Sequence, residues 1–501
     1  LLNSILSIPI AMKKSVIYKL SGILVVLFWL FVMAELIKRT NFIQKGTDLT
    51  QIDKNHFLEN REEWKEIFLK GRKVGYTVTR VKAIEEIFEV NEEIFLTVNL
   101  MGSTQEILSS TRAELDKEFY LNNFNFSLSS GLIEFKISGS IKGNNLHLSM
   151  GKKGKEETKL IRLPSKPMIS VGITQFFKSC TFKIGDSYHF PVFDPATMTS
   201  NPAVIKVVAK EDVEIDSKLY KAFRLEMDFL GQPLIFWIDE NGESLKEKGF
   251  MGFTLVKSST TKAPLGLDRS QRVDFYELSA IKVAQRLPNP RELSYLKILF
   301  DQTPFPLPFN GARQSLTDKV LTIRKEIPPF KASYTIPYEG KDSLCHFLNP
   351  EMFIQSDDNE IIRLARQIVK RTTDPFLAAQ MIMDWVFENL EKASVVSIPN
   401  AKEIFTHKKG DCNEHATILT ALLRAVGIPA RIVVGLIYKD GKFYYHAWNE
   451  VYINRWVSMD STLGQMPVDA THIKLIEGGI EKQVQIAGMI GNLTFTILDY
   501  K

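Results

Sequence analysis

From about Trp64 to Thr260 apolar and polar residues alternate, as in Val74-Gly75-Tyr76-Thr77-Val78-Thr79-Arg80-Val81 and Phe95-Leu96-Thr97-Val98-Asn99-Leu100. Alternation rich in β-branched and aromatic side chains predicts strands with one wet face. Turn formers recur at Met101-Gly102-Ser103, Ser129-Ser130-Gly131, Lys142-Gly143-Asn144-Asn145 and Asp239-Glu240-Asn241-Gly242. Strands joined this tightly predict one large, highly curved antiparallel sheet, with a helix near Ile173 to Ser179. Eight prolines cluster between Leu287 and Tyr338, interleaved with short strand patterns at Tyr295–Leu299 and Val320–Arg324. This predicts an ordered connector rather than a loose tether.

After Pro350 the period becomes helical. Ile361, Leu364, Ala365, Ile368 and Val369 share a face behind a cap at Ser356 or Asp357. Asp374-Pro375 opens a second helix that turns Ala378, Ile382, Trp385, Val386 and Leu390 inward, and a third spans Ala401 to His407. A fourth begins at Cys412, carries Ile418, Leu419, Leu422, Leu423 and Val426, and stops at Gly427-Ile428-Pro429.

The amino-terminal pattern differs in kind. The uncharged run Leu20–Ala34 is 15 residues, and Val16 to Ile37 is 22 residues, enough to span a bilayer if Lys19 and Glu35 reach its two surfaces. A single membrane anchor is the first reading, with Lys13, Lys14 and Lys19 favouring a cytoplasmic amino terminus and an extracytoplasmic body. A cleaved secretory signal, cut after the small residues near Val32-Met33-Ala34, is the second. The chain opens on Leu1, and Met12-Lys13-Lys14 reads as a natural start.

Charge narrows the function classes. The net charge is +5, yet residues 1–39 alone hold five Lys/Arg against one acid, so the body is close to neutral. Without a basic face, nucleic-acid binding is not expected. With 45% apolar and 24% charged residues the chain is an ordinary globular one, and its 501 residues predict about three domains. Three scattered cysteines, Cys180, Cys345 and Cys412, are too few for a disulfide framework or a four-thiolate zinc site. Cys180 and Cys345 read as small buried hydrophobes. Cys412 does not.

Cys412 follows Gly410-Asp411 at a helix start, where unpaired amides and the helix dipole are expected to lower a thiol pKa, and Gly410 is expected to let a substrate backbone approach. His415, one turn on, makes Cys412-x-x-His415 half of a metal motif, with a supporting or surface role as the other reading. Next comes a hairpin, Ala430 to Tyr438 and Phe443 to Ile453, turning through Lys439-Asp440-Gly441-Lys442. His446, Trp448 and Glu450 share one face of its second strand. Pairing that strand with Trp456-Val457-Ser458-Met459-Asp460 brings Asp460 near His446, which supplies a thiol, an imidazole and an orienting carboxylate. Trp448 is a candidate cleft wall.

The segment from Asp358 to Leu475 resembles the transglutaminase-like core of the papain-like cysteine enzymes, in its bacterial, membrane-attached branch. The resemblance is carried by Gly410-Asp411-Cys412, by Arg424-Ala425-x-Gly427-Ile428-Pro429-Ala430-Arg431, by His446-Ala447-Trp448 with Glu450-Val451, and by Trp456 with Asp460-Ser461-Thr462. The spacings of 34 and 14 residues fit the family's Cys, His, Asp order. It implies Cys412 as nucleophile, His446 as general base and acid, Asp460 as its orienter, and an acyl-enzyme formed on an amide of a peptide or protein. Asn413 stands where animal transglutaminases carry Trp, and no calcium site is identifiable, so proteolysis or amide hydrolysis competes with cross-linking. No cofactor and no metal is expected.

The fold class is therefore α+β, a large curved antiparallel β domain followed by a papain-like transglutaminase core, with one N-terminal membrane helix. The expected division is 1–39 anchor, 40–285 β domain, 286–338 connector, 339–475 catalytic domain and 476–501 terminal strands. By pattern alone, the curved sheet resembles envelope half-barrels that hold lipid-like or extended ligands, and its own ligand is unassigned. The alternative function is a non-catalytic envelope scaffold with this fold.

Overall fold

The computed structural model describes residues 60–501 apart from 85, 101, 132, 152–156, 230–231, 250–251, 268–273, 279, 303–309, 329–331, 395, 399, 480–481, 483–485 and 487–492. The anchor or signal expected within residues 1–39 lies outside the described residues. No helix among the described residues is long and apolar enough to cross a membrane. The balance is more β than the α+β expectation, since 49% of the described residues are strand.

Fourteen strands between Arg61 and Ser258 form one sheet. The first eight, ending at Glu157–Arg162, pair in chain order. The last six, from Ser187–Asp194 to Phe253–Ser258, do likewise, and Arg61–Leu69 lies antiparallel to Phe253–Ser258 to join the two runs. Bulges at Ile67/Phe68, Glu114/Leu115, Val207/Ala209 and Trp237/Ile238 add local bend and twist. One face wraps the helix Ser170–Phe177, which starts three residues earlier than its apolar pattern indicates. Phe119, Phe124, Phe135, Phe176, Phe177 and Phe193 fill the space between them. The carboxy-terminal portion joins this core, with Phe353 6.1 Å from Phe135 between ring centroids and Lys402 paired to Glu157 at 2.5 Å.

The remainder is built on two small antiparallel sheets. In one, Ile281–Lys282, Lys442–Tyr452, Ala430–Lys439 and Ile473–Glu477 pair in that order, with Trp456–Met459 also on Lys442–Tyr452. Its hairpin turns at Asp440 (φ 49°) and Gly441 (φ 85°), both left-handed, as a two-residue turn matched to strand twist requires. In the other, Gln314–Thr317, Val320–Arg324, Tyr295–Phe300 and the late strand Phe495–Tyr500 lie side by side. The proline-rich segment is thus no simple connector. Its Leu296, Ile298, Phe300, Leu321 and Ile323 are buried in the same core as the helices.

Those helices are Asn359–Val369, Pro375–Asn389, Ala401–His407 and Cys412–Ala425. Their caps are Asp358, Asp374, Asn400 and Asp411. The first cap falls at Asp358 rather than Ser356 or Asp357, because its carboxylate accepts the amides of Glu360 and Ile361. Helix Cys412–Ala425 is the central one, and its Ala416, Ile418, Leu419, Leu422 and Leu423 are all buried.

Gly435 marks where sheet geometry is least forgiving. A Cβ there would lie 1.9 Å from the Ile473 carbonyl oxygen, at a register shift in the pairing of Ala430–Lys439 with Ile473–Glu477. Gly435→Ala is therefore expected to lower stability by about 1–3 kcal/mol, as overpacking does, measured as a fall in the urea midpoint with unchanged slope.

Candidate active site

Cys412 is placed by the loop before it. Asp411 caps the helix in a capping box: its side chain takes the amides of Asn413 and Glu414, while Glu414 Oε2 accepts the Asp411 amide at 2.8 Å. Its backbone carbonyl takes the His415 amide at 3.0 Å. Ser397 donates to the other oxygen of Glu414. Gly410 serves this box rather than a substrate, since a Cβ there would lie 2.2 Å from Glu414 Cβ. The expected lowered thiol pKa is overturned for the same reason. The amides that should favour a thiolate are already taken by Asp411, and burial together with the nearby Asp411 pushes the Cys412 thiol well up.

The strand Lys442–Tyr452 supplies the surroundings. Along one edge it pairs with Ile281–Lys282 at residues 442 and 443 and with Trp456–Met459 from Asn449 onward. Neither partner covers the stretch between. Cys412 docks at this gap, where the Ala447 amide hydrogen-bonds to its sulfur and works against the rise. Asn449, fully buried, fastens strand to helix by donating to Ala416 O at 2.9 Å and Thr420 Oγ1 at 2.7 Å.

His446 and Asp460 meet as their register requires. Asn449 opposes Met459, so continuing the ladder puts Asp460 across from Trp448 and diagonal to His446 on the same face. His446 Nε2 lies 2.8 Å from Asp460 Oδ2. Asp460 Oδ1 accepts the Thr462 amide at 2.7 Å and the Leu463 amide at 3.2 Å. Although burial raises its pKa, the two imidazoles of His446 and His472 more than offset it and hold this carboxyl well below the usual range. Cys412 (9% exposed) and His446 (5%) both border one cleft of about 520 Å³, with Asp460 (0%) behind them.

The β domain reaches that cleft. Leu100, at the end of its strand Ile87–Leu100, lines it together with Tyr276. Asp274 accepts the Gly102 amide at 2.9 Å, tying the two segments together. Tyr276 stacks on Tyr444 at 4.7 Å and its hydroxyl lies 3.4 Å from Tyr445 O, while the Tyr445 hydroxyl donates to Asn413 Oδ1 at 2.9 Å. Burial and the Cys412 sulfur push both the Tyr276 and Tyr445 phenols up. No motif in the sequence marked Tyr276.

Other expectations are relocated. Trp448 is not a cleft wall. It is 1% exposed, packs with Val433 and Val468, stacks on His446 at 6.2 Å and meets His472 edge-on at 5.3 Å. Glu450, on the same face, is engaged by Arg431 and Lys474. His415 is neither a surface group nor paired with Cys412: it is fully buried, its Nδ1 lies 2.7 Å from Asp411 O, and burial lowers its pKa. Its neutral ring therefore donates to the Asp411 carbonyl, just before Cys412. Cys180 and Cys345 are half-buried, and burial pushes the Cys180 thiol up to about 12. Sequence reasoning missed His472 and Asp469. Asp469-Ala470-Thr471-His472 is a short polar run before a strand, with no motif to distinguish it from a turn.

Among the described residues His446, Asp460 and His472 bring three candidate ligand atoms within 4.8 Å of one another. Both rings, however, direct Nε2 at the single oxygen Asp460 Oδ2, at 2.8 and 3.1 Å. These are hydrogen-bond lengths, and they describe a proton-bridged array rather than a cation cradle.

Comparison with known proteins gives a family for this segment. The transglutaminase-like superfamily matches residues 362–461, which contain Cys412, His446 and Asp460. No curated protein matches the chain. Among solved structures, the chain is similar to a candidate cysteine protease from Cytophaga hutchinsonii (20% identity, 44% of this chain and 80% of that one, TM-score 0.26). It is also similar to a β-barrel-like protein of a domain of unknown function from Brucella abortus (13%, 40% and 95%, TM-score 0.31). A third is the periplasmic domain of TgpA from Pseudomonas aeruginosa bound to ethylmercury (14%, 38% and 93%, TM-score 0.23). At these scores the structural likenesses add no argument to the family match. The part of the chain that holds the cysteine, the histidine and the aspartate is a transglutaminase-like core.

Proposed function

We propose that this protein carries out thiol-dependent acyl chemistry on amide bonds of peptides or proteins, with Cys412 as nucleophile, His446 as general base and acid, and Asp460 as orienter. The observation that carries this reading is the cleft that Cys412 and His446 both line, with a buried carboxylate bonded to Nε2 of the imidazole. With Nε2 held by Asp460, Nδ1 is the atom that takes the thiol proton. The sulfur then attacks an amide carbonyl, and the Cys412 amide donates to the oxyanion, because Asp411 occupies the amides of the next three residues. Collapse breaks the C–N bond as His446 passes its proton to the departing nitrogen, leaving a thioester. Water completes a hydrolase and a second amine completes a transferase, with His446 again accepting the proton. The extracytoplasmic, membrane-attached placement rests on the apolar segment Val16 to Ile37.

A thiol pushed up by burial cannot ionise near neutrality alone, so its reactivity must depend on the imidazole. Iodoacetamide is therefore expected to alkylate Cys412 at pH 7. In His446→Ala the rate at pH 7 falls by about 10²–10⁴-fold and recovers only above about pH 9, followed by mass spectrometry of the intact chain. Equal rates in the two proteins at pH 7 refute the catalytic assignment. Mass spectra of incubated peptides are expected to show gain of water or loss of ammonia in the unsubstituted protein, and neither in Cys412→Ala.

A further inference from the structure

The buried charges do not end at Asp460. Its Oδ2, which accepts from His446 at 2.8 Å, also accepts from His472 Nε2 at 3.1 Å, and the two ring centroids are 5.7 Å apart. On its other side, His472 Nδ1 is 3.4 Å from Asp469 Oδ1, an ion-pair contact without hydrogen-bond geometry. Asp469 is itself fixed: Oδ1 accepts the Thr471 amide at 2.8 Å, and Oδ2 takes Arg291 Nη1 at 2.9 Å. The series runs from the cleft inward as imidazole, carboxylate, imidazole and carboxylate, and returns to the cleft at the guanidinium of Arg291. Asp460, His472 and Asp469 are all 0% exposed.

Two dry carboxylates on either side of the ring favour its charged form, Asp460 by a hydrogen bond to Nε2 and Asp469, itself paired with Arg291, by a through-space contact to Nδ1. Burial works against charging His472, but Asp469 and Asp460 outweigh it and its pKa is raised. The charged groups that face it are Asp460, Asp469 and His446, with Arg291 behind Asp469; Arg313 reaches the carbonyls of Asp469 and His472. The Trp448 ring closes the remaining side.

We propose that His472 is a positioning residue of the acyl-transfer centre, whose imidazolium pins Asp460 Oδ2 and offsets part of the negative charge that Asp460 presents to His446. This rests on the reading of Cys412, His446 and Asp460 above. A bare carboxylate beside His446 stabilises its protonated form and delays release of the proton needed at each half-reaction. With His472 charged, Asp460 keeps its aim while its pull on the His446 proton is reduced. Asp469 and Arg291 act one step further out: Asp469 keeps His472 charged, and Arg291 keeps Asp469 in place.

The test is the pH profile of Cys412 alkylation in the full chain. His472→Gln keeps an amide donor within reach of Asp460 and removes the charge. It is expected to move the His446-dependent limb of the profile, along which the imidazole becomes free to take the thiol proton, upward by roughly one pH unit. Asp469→Asn is expected to move it the same way, by less. A His472→Gln profile that superimposes on that of the unsubstituted protein, or that falls uniformly without a shift, overturns the proposal. If the unsubstituted profile is itself independent of His446, the failure lies with the catalytic reading and not with His472. Should both variants fail to fold, ¹⁵N-histidine spectra of Cys412→Ala decide. With the thiol removed, one imidazolium is expected to persist above the pH at which an ordinary histidine loses its charge, and its absence overturns the proposal.

Discussion

The site depends on an interruption in a strand. Lys442–Tyr452 is hydrogen-bonded on one side throughout to Ala430–Lys439, yet on the other side its partners stop at Phe443 and resume at Asn449. An uncovered strand edge presents amides that must find acceptors. Here the acceptor is the sulfur of Cys412, at the start of a helix that Asn449 fastens to the same strand. One gap thus marks where the helix docks and where its first residue sits, while alternation along the strand sets which face carries the imidazole.

Burial is the second constraint, and it sets the chemistry. The helix start is saturated by Asp411, so it does not hand the sulfur a ready negative charge. The thiol is pushed up and must pass its proton to a neighbour. That makes His446 indispensable in the proposed reaction and makes the state of Asp460 consequential, because the carboxylate is the imidazole's only fixed orienting contact among the described hydrogen bonds. Groups further inward then act through Asp460, although none of them borders the cleft except Arg291.

Much of this was legible in the sequence, and what was missed has identifiable causes. Helix and strand periods located the hairpin, the four helices and the curved sheet, because burial on one face leaves a repeating signature. The diagonal of His446 and Asp460 followed from counting register across a two-residue turn and a short loop. The exposed or buried fate of Trp448 did not follow, since alternation tells which face a residue shares and not what covers that face. His472 and Tyr276 arrive from segments far from the motif blocks, and only tertiary packing brings them in. The thiol's direction was misjudged because a helix start was treated as having free amides, when Asp411 and Glu414 form a capping box that consumes them. The proline-rich stretch reads as an ordered connector with short strands, but its share in the core does not show in its pattern, because the partner strand Phe495–Tyr500 lies almost two hundred residues downstream.

That last pairing has a consequence for biogenesis. Tyr295–Phe300 is flanked by Val320–Arg324 on one side and by Phe495–Tyr500 on the other, and its apolar residues belong to the core that supports the helix Cys412–Ala425. Until Phe495–Tyr500 has been synthesised, the sheet lacks one border and the core lacks Phe495 and Ile497. A chain that stops short of Phe495 therefore carries every motif of the site without the whole of the core that supports them.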